Sequence, residues 1–582
     1  MGGTTPGSRG LSRRDFVRGV GAVGAAGAIG AGLDPDRGGD PPGGPQPPGG
    51  DNPDGPTGQT QPDKPDKPVI RPPQRPNVVL IVADDMGFSD IGAFGAEIAT
   101  PNLDRLAHGG TRFTGMTTNA RCVPTRASLL TGLYPTQAGL GYVTQNQGSP
   151  QYRGRLTDAC VTLGEVLAPS GYRTALFGKW HVAQFKSGII PATRGFERSY
   201  GPTSGKSPYF RPNLYRDTQL IGRPTNPDFY LTDAITTAAI DAIRDFSGSG
   251  SPFFTMITHS APHFPLQARP RDIARYRATY RKGWDRIRAE RFAQMRKAGL
   301  LPGVDQLPPR DRQVPAWSRV SHRRWQAERM AVYAAQVTSM DRSVGRLLRA
   351  LEVLRIRDNT IVMFLSDNGA SAERMGPTSS GAAVSAGQGP MRSGNSARID
   401  PGPSDTFASY GMGWANASNT PFKSYKHWTS EGGLATPFLV SWPGRLPPGR
   451  VDHRLLHVTD VLPTLVELCD AQYPSSRNGT RIPLPEGRSF ANALGPRPVD
   501  DWTLSRRVYW EHEGNRAARH GWWKLVADYA KSWELYNMRY DRAEQRNVAD
   551  AHPELVSRLS AGWSEWATRV EVRPWLAGWQ YR

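Results

Sequence analysis

Short runs of consecutive apolar residues recur along the chain after residue 76, and polar residues follow each of them. These runs cover residues 78–83, 174–177, 253–257 and 360–365. Continuous apolar runs of this length are typical of strands that are buried on both faces, as in a parallel sheet between layers of helices. The pattern therefore predicts an α/β fold built on a large, mostly parallel sheet.

Other patterns predict the elements around this sheet. An amphipathic pattern over 315–351 predicts a helix that packs on the sheet. Residues 127–130 predict the first turn of another helix. A segment rich in Gly, Ser and Asn over 399–419 predicts a long active-site loop that starts within 370–398. From about residue 506, short alternating segments and a helical pattern over 552–570 predict a small antiparallel sheet with one helix.

The N-terminal segment has the composition of a targeting signal followed by a spacer. Arg13 and Arg14 precede a short Gly/Ala-rich apolar stretch, which resembles a twin-arginine export signal over residues 1–33; a disordered basic tail is the alternative. Residues 34–76 are mostly Pro, Gly, Asp, Gln and Lys and predict a disordered linker. We therefore expect an exported protein (periplasmic, cell-surface or extracellular) with a main α/β domain over 77–505 and a small domain over 506–582.

The overall charge is strongly positive, at +20 from 72 Lys and Arg against 52 Asp and Glu. It fits either a polyanionic partner, such as nucleic acid or sulfated polysaccharide, or a scatter of arginines from a GC-rich genome. No block of basic residues dominates the chain, so we favour the scatter and expect no nucleic-acid partner. The three cysteines, Cys122, Cys160 and Cys469, have neither a disulfide framework nor the spacing of a zinc site.

Acidic and amide side chains follow two of the apolar runs. Asp84 and Asp85 follow the first run, and Asp367 and Asn368 follow the last one. Adjacent carboxylates resist joint ionisation unless a cation lies between them, and oxygen ligands suit Ca²⁺ or Mg²⁺. One Asp pair alone is as typical of a helix cap or a turn. Two such pairs at strand ends predict a metal cluster.

Basic and titratable residues also follow the strands. Lys179 and His181 follow the second run, and the third is followed by His259 and His263. Lys423 and Lys426 precede an acidic glycine turn and a further strand. A single His or Lys in such a place is most often on the surface or satisfied in the core. Their common position at strand ends indicates that they converge where α/β sheets bind ligands.

Cys122 lies in an unusual setting for a structural cysteine. Arg121 and Arg126 flank it, Pro124 stiffens the turn, and a helix is predicted to follow. Backbone N–H groups and the positive end of a helix dipole would face a group held there, as in an anion site.

The motifs in chain order resemble those of the type I sulfatases, which use formylglycine. Cys122, Pro124 and Arg126 form the C-x-P-x-R pattern in "CVPTRASLLTG", and "DDMGFSD", "GKWH", "APHFP", "SDNG" and "KHWTSEGG" follow the family's order. The resemblance covers most of the chain after residue 76 and is greatest to the bacterial arylsulfatases. It implies an alkaline-phosphatase-like fold with a small C-terminal domain. It also implies that a formylglycine-generating enzyme oxidises Cys122 to the aldehyde 3-oxoalanine.

The resemblance implies a role for each candidate residue. A divalent cation, Ca²⁺ or Mg²⁺, would be held by Asp84, Asp85, Asp367, Asn368 and the modified Cys122. Arg126 would steady the hydrated aldehyde, Lys179 and Lys426 would hold sulfate oxygens, and His181 would take the proton in the elimination step. His263 would help to protonate the leaving oxygen. His259 and Lys423 are the alternatives to His263 and Lys426, and Arg121 is a candidate substrate contact.

The function that follows is hydrolysis of sulfate monoesters, either aryl sulfates or sulfated carbohydrates. One hydroxyl of the hydrated aldehyde would attack sulfur, and the other would drive the elimination of sulfate. The first alternative is a phosphoester or phosphonate monoester hydrolase on the same fold. A second is a secreted glycan-binding protein with an inactive site, which the complete set of competent residues disfavours. Besides the substrate, the expected partners are the formylglycine-generating enzyme and the twin-arginine export machinery.

Overall fold

A ten-stranded sheet forms the centre of the protein, for which a computed structural model describes residues 75–375, 392–393, 395–495 and 502–575. The strands of this sheet and of the smaller sheets are, in chain order, β1 Asn77–Asp84, β2 Thr111–Phe113, β3 Met116–Thr117, β4 Arg173–Gly178, β5 Arg198–Pro202, β6 Leu214–Arg216, β7 Gln219–Gly222, β8 Phe253–Pro262, β9 Thr360–Ser366, β10 Arg392–Ser393, β11 Thr406–Phe407, β12 Phe438–Ser441, β13 Arg450–Asp452, β14 Leu456–His457, β15 Ser476–Arg477, β16 Thr480–Arg481, β17 Arg507–His512, β18 Asn515–His520, β19 Trp523–Ala527 and β20 Glu534–Asn537.

The order of strands in the large sheet is β13-β2-β12-β9-β1-β8-β4-β5-β6-β7. The five adjacent strands β9, β1, β8, β4 and β5 are parallel, whereas β12, β6 and β7 pair in antiparallel fashion with their neighbours. The predicted large, mostly parallel sheet is therefore confirmed. Its four central strands contain the four apolar runs.

Helices cover both faces of this sheet. They are α1 Pro101–His108, α2 Cys122–Thr131, α3 Leu163–Leu167, α4 Leu231–Ser247, α5 Pro270–Ala274, α6 Arg277–Tyr280, α7 Trp284–Lys297, α8 Arg323–Val353, α9 Gly411–Ser418, α10 Glu431–Leu434, α11 Val461–Leu468 and α12 Pro553–Arg569. Successive residues of β1 enter different cores: Leu80 packs with residues of α2, α3 and α11, and Ile81 packs with residues of α1, α4 and α8. This alternation is what a strand buried on both faces requires. Among the described helices, none is both long enough and apolar enough to span a membrane.

A second sheet lies near the C-terminus and is antiparallel, in the order β17-β18-β19-β20. Helix α12 packs on it, with Leu559 among Ala518, Leu525 and Leu535. The predicted small antiparallel sheet with one helix is confirmed. The predicted signal and nearly all of the predicted linker, up to residue 74, lie outside the described residues, as do residues 376–391.

Three local predictions were wrong. Helix α2 begins at Cys122, not at residue 127, because Pro124 lies in the first turn, where its missing N–H would have no helical partner. The predicted loop over 399–419 contains α9, whose Trp414 packs against Tyr280 and Trp284. The amphipathic segment becomes regular helix only at Arg323.

Candidate active site

The carboxyl ends of the four central parallel strands bring the candidate residues together. Asp84 is the last residue of β1 and Asp85 follows it, while Asp367 and Asn368 follow β9. His263 follows β8, and Lys179 and His181 follow β4. Because β9, β1, β8 and β4 are neighbours and run in one direction, these side chains share one edge of the sheet.

The two acid pairs form one buried, hydrogen-bonded cluster. The backbone N–H of Asp85 donates to Oδ1 of Asp367 at 3.2 Å, and Nδ2 of Asn368 donates to Oδ1 of Asp85 at 2.8 Å. Arg126 on α2 donates from Nε to Oδ2 of Asp367 at 2.8 Å. Its Nη1 also donates to the carbonyl oxygen of Lys179 at 2.8 Å, so one guanidinium joins the ends of two strands, β9 and β4.

Two oxygens of this cluster fit a metal ion. Oδ1 of Asp84 and Oδ1 of Asn368 are buried, and neither accepts a hydrogen bond from any described residue. A buried oxygen without a donor costs about 1–3 kcal/mol, and a cation would remove this cost. Ligand atoms of Asp84, Asp85 and His263 also lie within 4.8 Å of one another. A set of carboxylate and amide oxygens is the donor set that a hard divalent cation prefers.

Each aspartate of the first pair contacts a buried lysine. Nζ of Lys179 donates to Oδ2 of Asp84 at 2.5 Å, and Nζ of Lys426 donates to Oδ2 of Asp85 at 2.9 Å. Burial raises the pKa of Asp84 to about 8, although Lys179 opposes the shift. Burial acts in the same direction on Asp85, but there Lys426 and His263 outweigh it and lower the pKa to about 2. The two lysines therefore supply positive charge at the mouth of the carboxylate cluster.

Cys122 is the first residue of α2 and lines a cavity of about 630 Å³ together with Lys179, His181, His263 and Lys426. Burial raises the pKa of its thiol, although both lysines lower it. A cysteine in this state is protonated at neutral pH and is a poor nucleophile, because the thiolate is the reactive form. The unmodified Cys122 side chain is thus unsuited to attack a substrate.

Two histidines face this cavity. Nδ1 of His263 lies 2.6 Å from the carbonyl oxygen of Phe264, which only accepts, so Nδ1 carries the hydrogen and Nε2 faces Oδ2 of Asp85 at 3.4 Å. Burial lowers the pKa of His263 to about 3, although Asp85 raises it. Desolvation and the neighbouring Lys179 lower the pKa of His181 well below its usual value.

The two alternative residues lie elsewhere. Strand β8 extends to Pro262, so His259 lies within the strand rather than after it, and it does not line the cavity. Burial lowers its pKa to about 4, and the charged group that opposes this shift is Asp233 on α4. Lys423 donates from Nζ to the hydroxyl of Tyr536 at 2.8 Å and therefore faces the C-terminal sheet.

Sequence reasoning missed a group of acidic and histidine residues beside the cleft. Oε2 of Glu373 lies 3.2 Å from Nζ of Lys426, and Nδ1 of His427 lies 3.0 Å from Oε2 of Glu513. Arg121 lines the cleft and donates to both Glu513 and His427, so a guanidinium supplies the positive charge in this group. Glu513 comes from the turn between β17 and β18, far along the chain, and no sequence motif marks it.

Comparison with known proteins agrees with this geometry. The sulfatase family model matches residues 76–471, about two thirds of the chain. This chain belongs to the sulfatase family. A second model, for the C-terminal part of N-sulphoglucosamine sulphohydrolase, matches residues 423–561. The protein is thus a sulfatase, a hydrolase of sulfate esters, and the family generally uses a metal ion and formylglycine.

Individual relatives span most of this sulfatase. It is 33% identical to an arylsulfatase of Klebsiella aerogenes over 412 residues, which cover 68% of this chain and 86% of the relative. It is 31% identical to an uncharacterized sulfatase of Schizosaccharomyces pombe, over 84% of this chain and 93% of the relative. An N-acetylgalactosamine-6-sulfatase of Canis lupus familiaris is 30% identical, over 82% of this chain and 76% of the relative.

Solved structures show the same fold at lower identity. The crystal structure of Ps i-CgsB in complex with k-i-k-neocarrahexaose has a TM-score of 0.61 at 24% identity, and the match covers 85% of this chain and 93% of that one. A structure in complex with its substrate D-glucosamine-2-N,6-O-disulfate has a TM-score of 0.59 at 20% identity, over 86% of this chain and 99% of that one. The alkaline-phosphatase-like fold that the sequence predicts is therefore confirmed.

Proposed function

We propose that this sulfatase hydrolyses sulfate monoesters through a formylglycine made from Cys122 and with the help of a divalent cation. The observation that carries the proposal is the position of Cys122. It begins α2, lines the cleft beside Lys179 and Lys426, and has a thiol whose raised pKa disfavours direct attack. A formylglycine-generating enzyme would be the partner that installs the aldehyde.

The modified side chain and the cation have separate tasks. The hydrated aldehyde supplies a hydroxyl nucleophile and a second hydroxyl that permits release of sulfate, so that water need not attack sulfur. Asp84, Asp85, Asp367 and Asn368 would hold the cation, with the modified Cys122 as a further ligand. The cation, Ca²⁺ in our proposal with Mg²⁺ as the alternative, supplies Lewis acidity toward the nucleophilic hydroxyl and a sulfate oxygen.

The remaining residues act on charge and protons. Arg126 holds Asp367 and the Lys179 carbonyl, so it fixes the first turn of α2 against the strand ends. Lys179 and Lys426 bind the anionic sulfate, since each ammonium group lies at the cavity wall. His181 accepts a proton from the hydrated aldehyde during elimination. His263 donates its Nδ1–H to the Phe264 carbonyl, so it would protonate the leaving oxygen from Nε2 once that nitrogen has gained a proton.

Sulfated carbohydrates are the substrate class that we propose, with aryl sulfates as artificial substrates. Names of relatives support this choice: one is an N-acetylgalactosamine-6-sulfatase, and structural neighbours bind neocarrahexaose and a disulfated glucosamine. The enzyme would meet such substrates outside the cytoplasm, after export through the twin-arginine signal expected over residues 1–33.

Metal removal tests the proposed ligand set. We expect exhaustive chelation to abolish hydrolysis of an aryl sulfate and added Ca²⁺ or Mg²⁺ to restore it. Asp84→Ala and Asp367→Ala should each lower kcat on the order of 10³-fold or more, because the metal would lose an oxygen ligand and Lys179 or Arg126 would lose its partner. Activity that survives chelation, in protein found by elemental analysis to hold no metal, would refute the assignment. The matching phosphate ester should be the poorer substrate.

A further inference from the structure

A second cavity adjoins the catalytic cleft. It has a volume of about 880 Å³ and is lined by two segments, 144–155 and 184–187. Thr144, Gln145, Gln184 and Lys186 line both this cavity and the catalytic cleft, so the two spaces are adjacent. We call the second cavity the side pocket. A molecule that binds beside Cys122 and extends past these shared residues would enter it.

The lining of the side pocket carries positive charge without a matching negative charge. Arg153, Arg155 and Lys186 line it, whereas none of the described lining residues is an Asp or a Glu. These three cations make no ion pair with any described residue. Arg153 also borders another cavity that holds Asp158 and Glu571, whereas Arg155 and Lys186 do not.

Neutral hydrogen-bonding groups surround these cations. Gln145, Asn146, Gln184 and Ser187, whose side chains end in amide or hydroxyl groups, also line the pocket. Unpaired cations raise the local concentration of anions, and amides and hydroxyls bind both sulfate oxygens and sugar hydroxyls. A small aryl sulfate would not contact these cations and hydrogen-bonding groups, whereas an oligosaccharide with several anionic groups would bind to them.

We propose that the side pocket binds a second anionic group, a sulfate or a carboxylate, on a sugar unit next to the one that carries the scissile sulfate ester. The inference rests on the proposed action on sulfated carbohydrates and extends it. The enzyme would then favour multiply charged glycans over singly sulfated sugars. Its preference would weaken as salt rises, because exposed charges are screened at high ionic strength.

Matched variants test the proposal. Arg153→Ala/Arg155→Ala removes two exposed cations of the side pocket, and neither residue lines the catalytic cleft. The control, Lys297→Ala/Arg349→Ala, removes two exposed cations from α7 and α8, and neither lines the cleft or the side pocket. Each protein is assayed with an aryl sulfate, a singly sulfated disaccharide and two disaccharides whose neighbouring unit carries a second sulfate or a carboxylate.

We expect the side-pocket variant to lose about tenfold in kcat/KM on the doubly charged disaccharides, since two exposed charge contacts are removed. Its kcat/KM on the aryl sulfate should change less than about twofold, and the control should match the enzyme without substitutions on every substrate. The disaccharide that loses more identifies the anion, sulfate or carboxylate. Cys122→Ala can be added to both the unsubstituted enzyme and the side-pocket variant to prevent turnover. Calorimetry with the doubly charged disaccharides should then show the same tenfold difference in Kd between these two proteins.

Two results would overturn the inference. One is an unchanged kcat/KM and Kd on all the doubly charged disaccharides, and the other is an equal loss on every substrate, including the aryl sulfate. If the proposed function itself were wrong, the result would differ, because the enzyme without substitutions would then hydrolyse none of the sulfated sugars.

Discussion

His259 and His263 lie four residues apart, yet only His263 faces the cleft. We expect His263→Ala to lower kcat about 10²–10⁴-fold, the usual contribution of a general acid or base. His259→Ala serves as the matched control and should change kcat less than about twofold, while it lowers the free energy of unfolding because it empties a buried site. Steady-state kinetics with an aryl sulfate and urea unfolding of both variants measure this. Equal losses of kcat would contradict the placement of these residues.

For single residues, the sequence predicts the site residues that directly follow a strand. It does not predict the residues that reach the site from other segments of the chain. Asp84, Asp367 and Lys179 follow apolar runs, so the parallel sheet alone brings them together. Glu373 lines the cleft beside Lys426, and Glu513 reaches Arg121 only through packing of a distant segment; neither belongs to a pattern that the sequence alone would single out. His259 remained an alternative to His263 because the apolar run ends at residue 257, before β8 ends at Pro262.

At the scale of elements, the C-terminal sheet is tied to the turn that carries Lys426. Lys524 on β19 donates to Oε1 of Glu431 at 2.9 Å and lies 2.8 Å from Oε1 of Glu544, and all three groups are buried. Burial raises the pKa of Glu431, but Lys524 and Arg542 outweigh it and lower the pKa to about 2. The carboxylate therefore stays charged and depends on its cationic partners.

Removal of Lys524 should affect both stability and catalysis. We expect Lys524→Met to lower the free energy of unfolding by about 3–5 kcal/mol, because it leaves two buried carboxylates short of a partner. It should also lower kcat, since α10 and the preceding Lys426 lose their anchor. Lys531→Met, at an exposed site between β19 and β20, is the control. Urea unfolding and kinetics that match the control would show that the C-terminal sheet does not support the site.

The elements themselves were partly predictable. Long apolar runs and strong periodicity predicted the central strands and α8, because burial of apolar surface dominates their stability. Helix α9 was predicted as a loop, since its glycines, Asn416 and Ser418 have weak helical propensity and the buried Trp414 stabilises it through tertiary packing. The start of α2 at Cys122 was not predicted, because Pro124 was interpreted as part of a turn before the helix and not of its first turn.

For the whole molecule, the proposed export and the proposed modification would have to occur in a fixed order. The twin-arginine route carries folded proteins, whereas Cys122 is buried in the folded protein and would have to be modified before folding closes the cleft. We expect Arg13→Lys/Arg14→Lys to leave active, modified enzyme in the cytoplasm. Fractionation, activity assay and peptide mass analysis measure this. Normal export of the double variant would contradict the prediction of a twin-arginine signal. Protein retained in the cytoplasm with unmodified Cys122 would show that modification follows export and does not precede it.

We propose that Cys122 is a precursor and not the working nucleophile, and the mass of one peptide decides between the two. Trypsin cleaves after Arg121 and after Arg126, so it releases residues 122–126 as a single peptide. In fully active enzyme we expect the mass of an aldehyde in place of the thiol, while Cys122→Ala should fold normally and lack turnover. Unmodified cysteine alone in fully active enzyme would contradict the account.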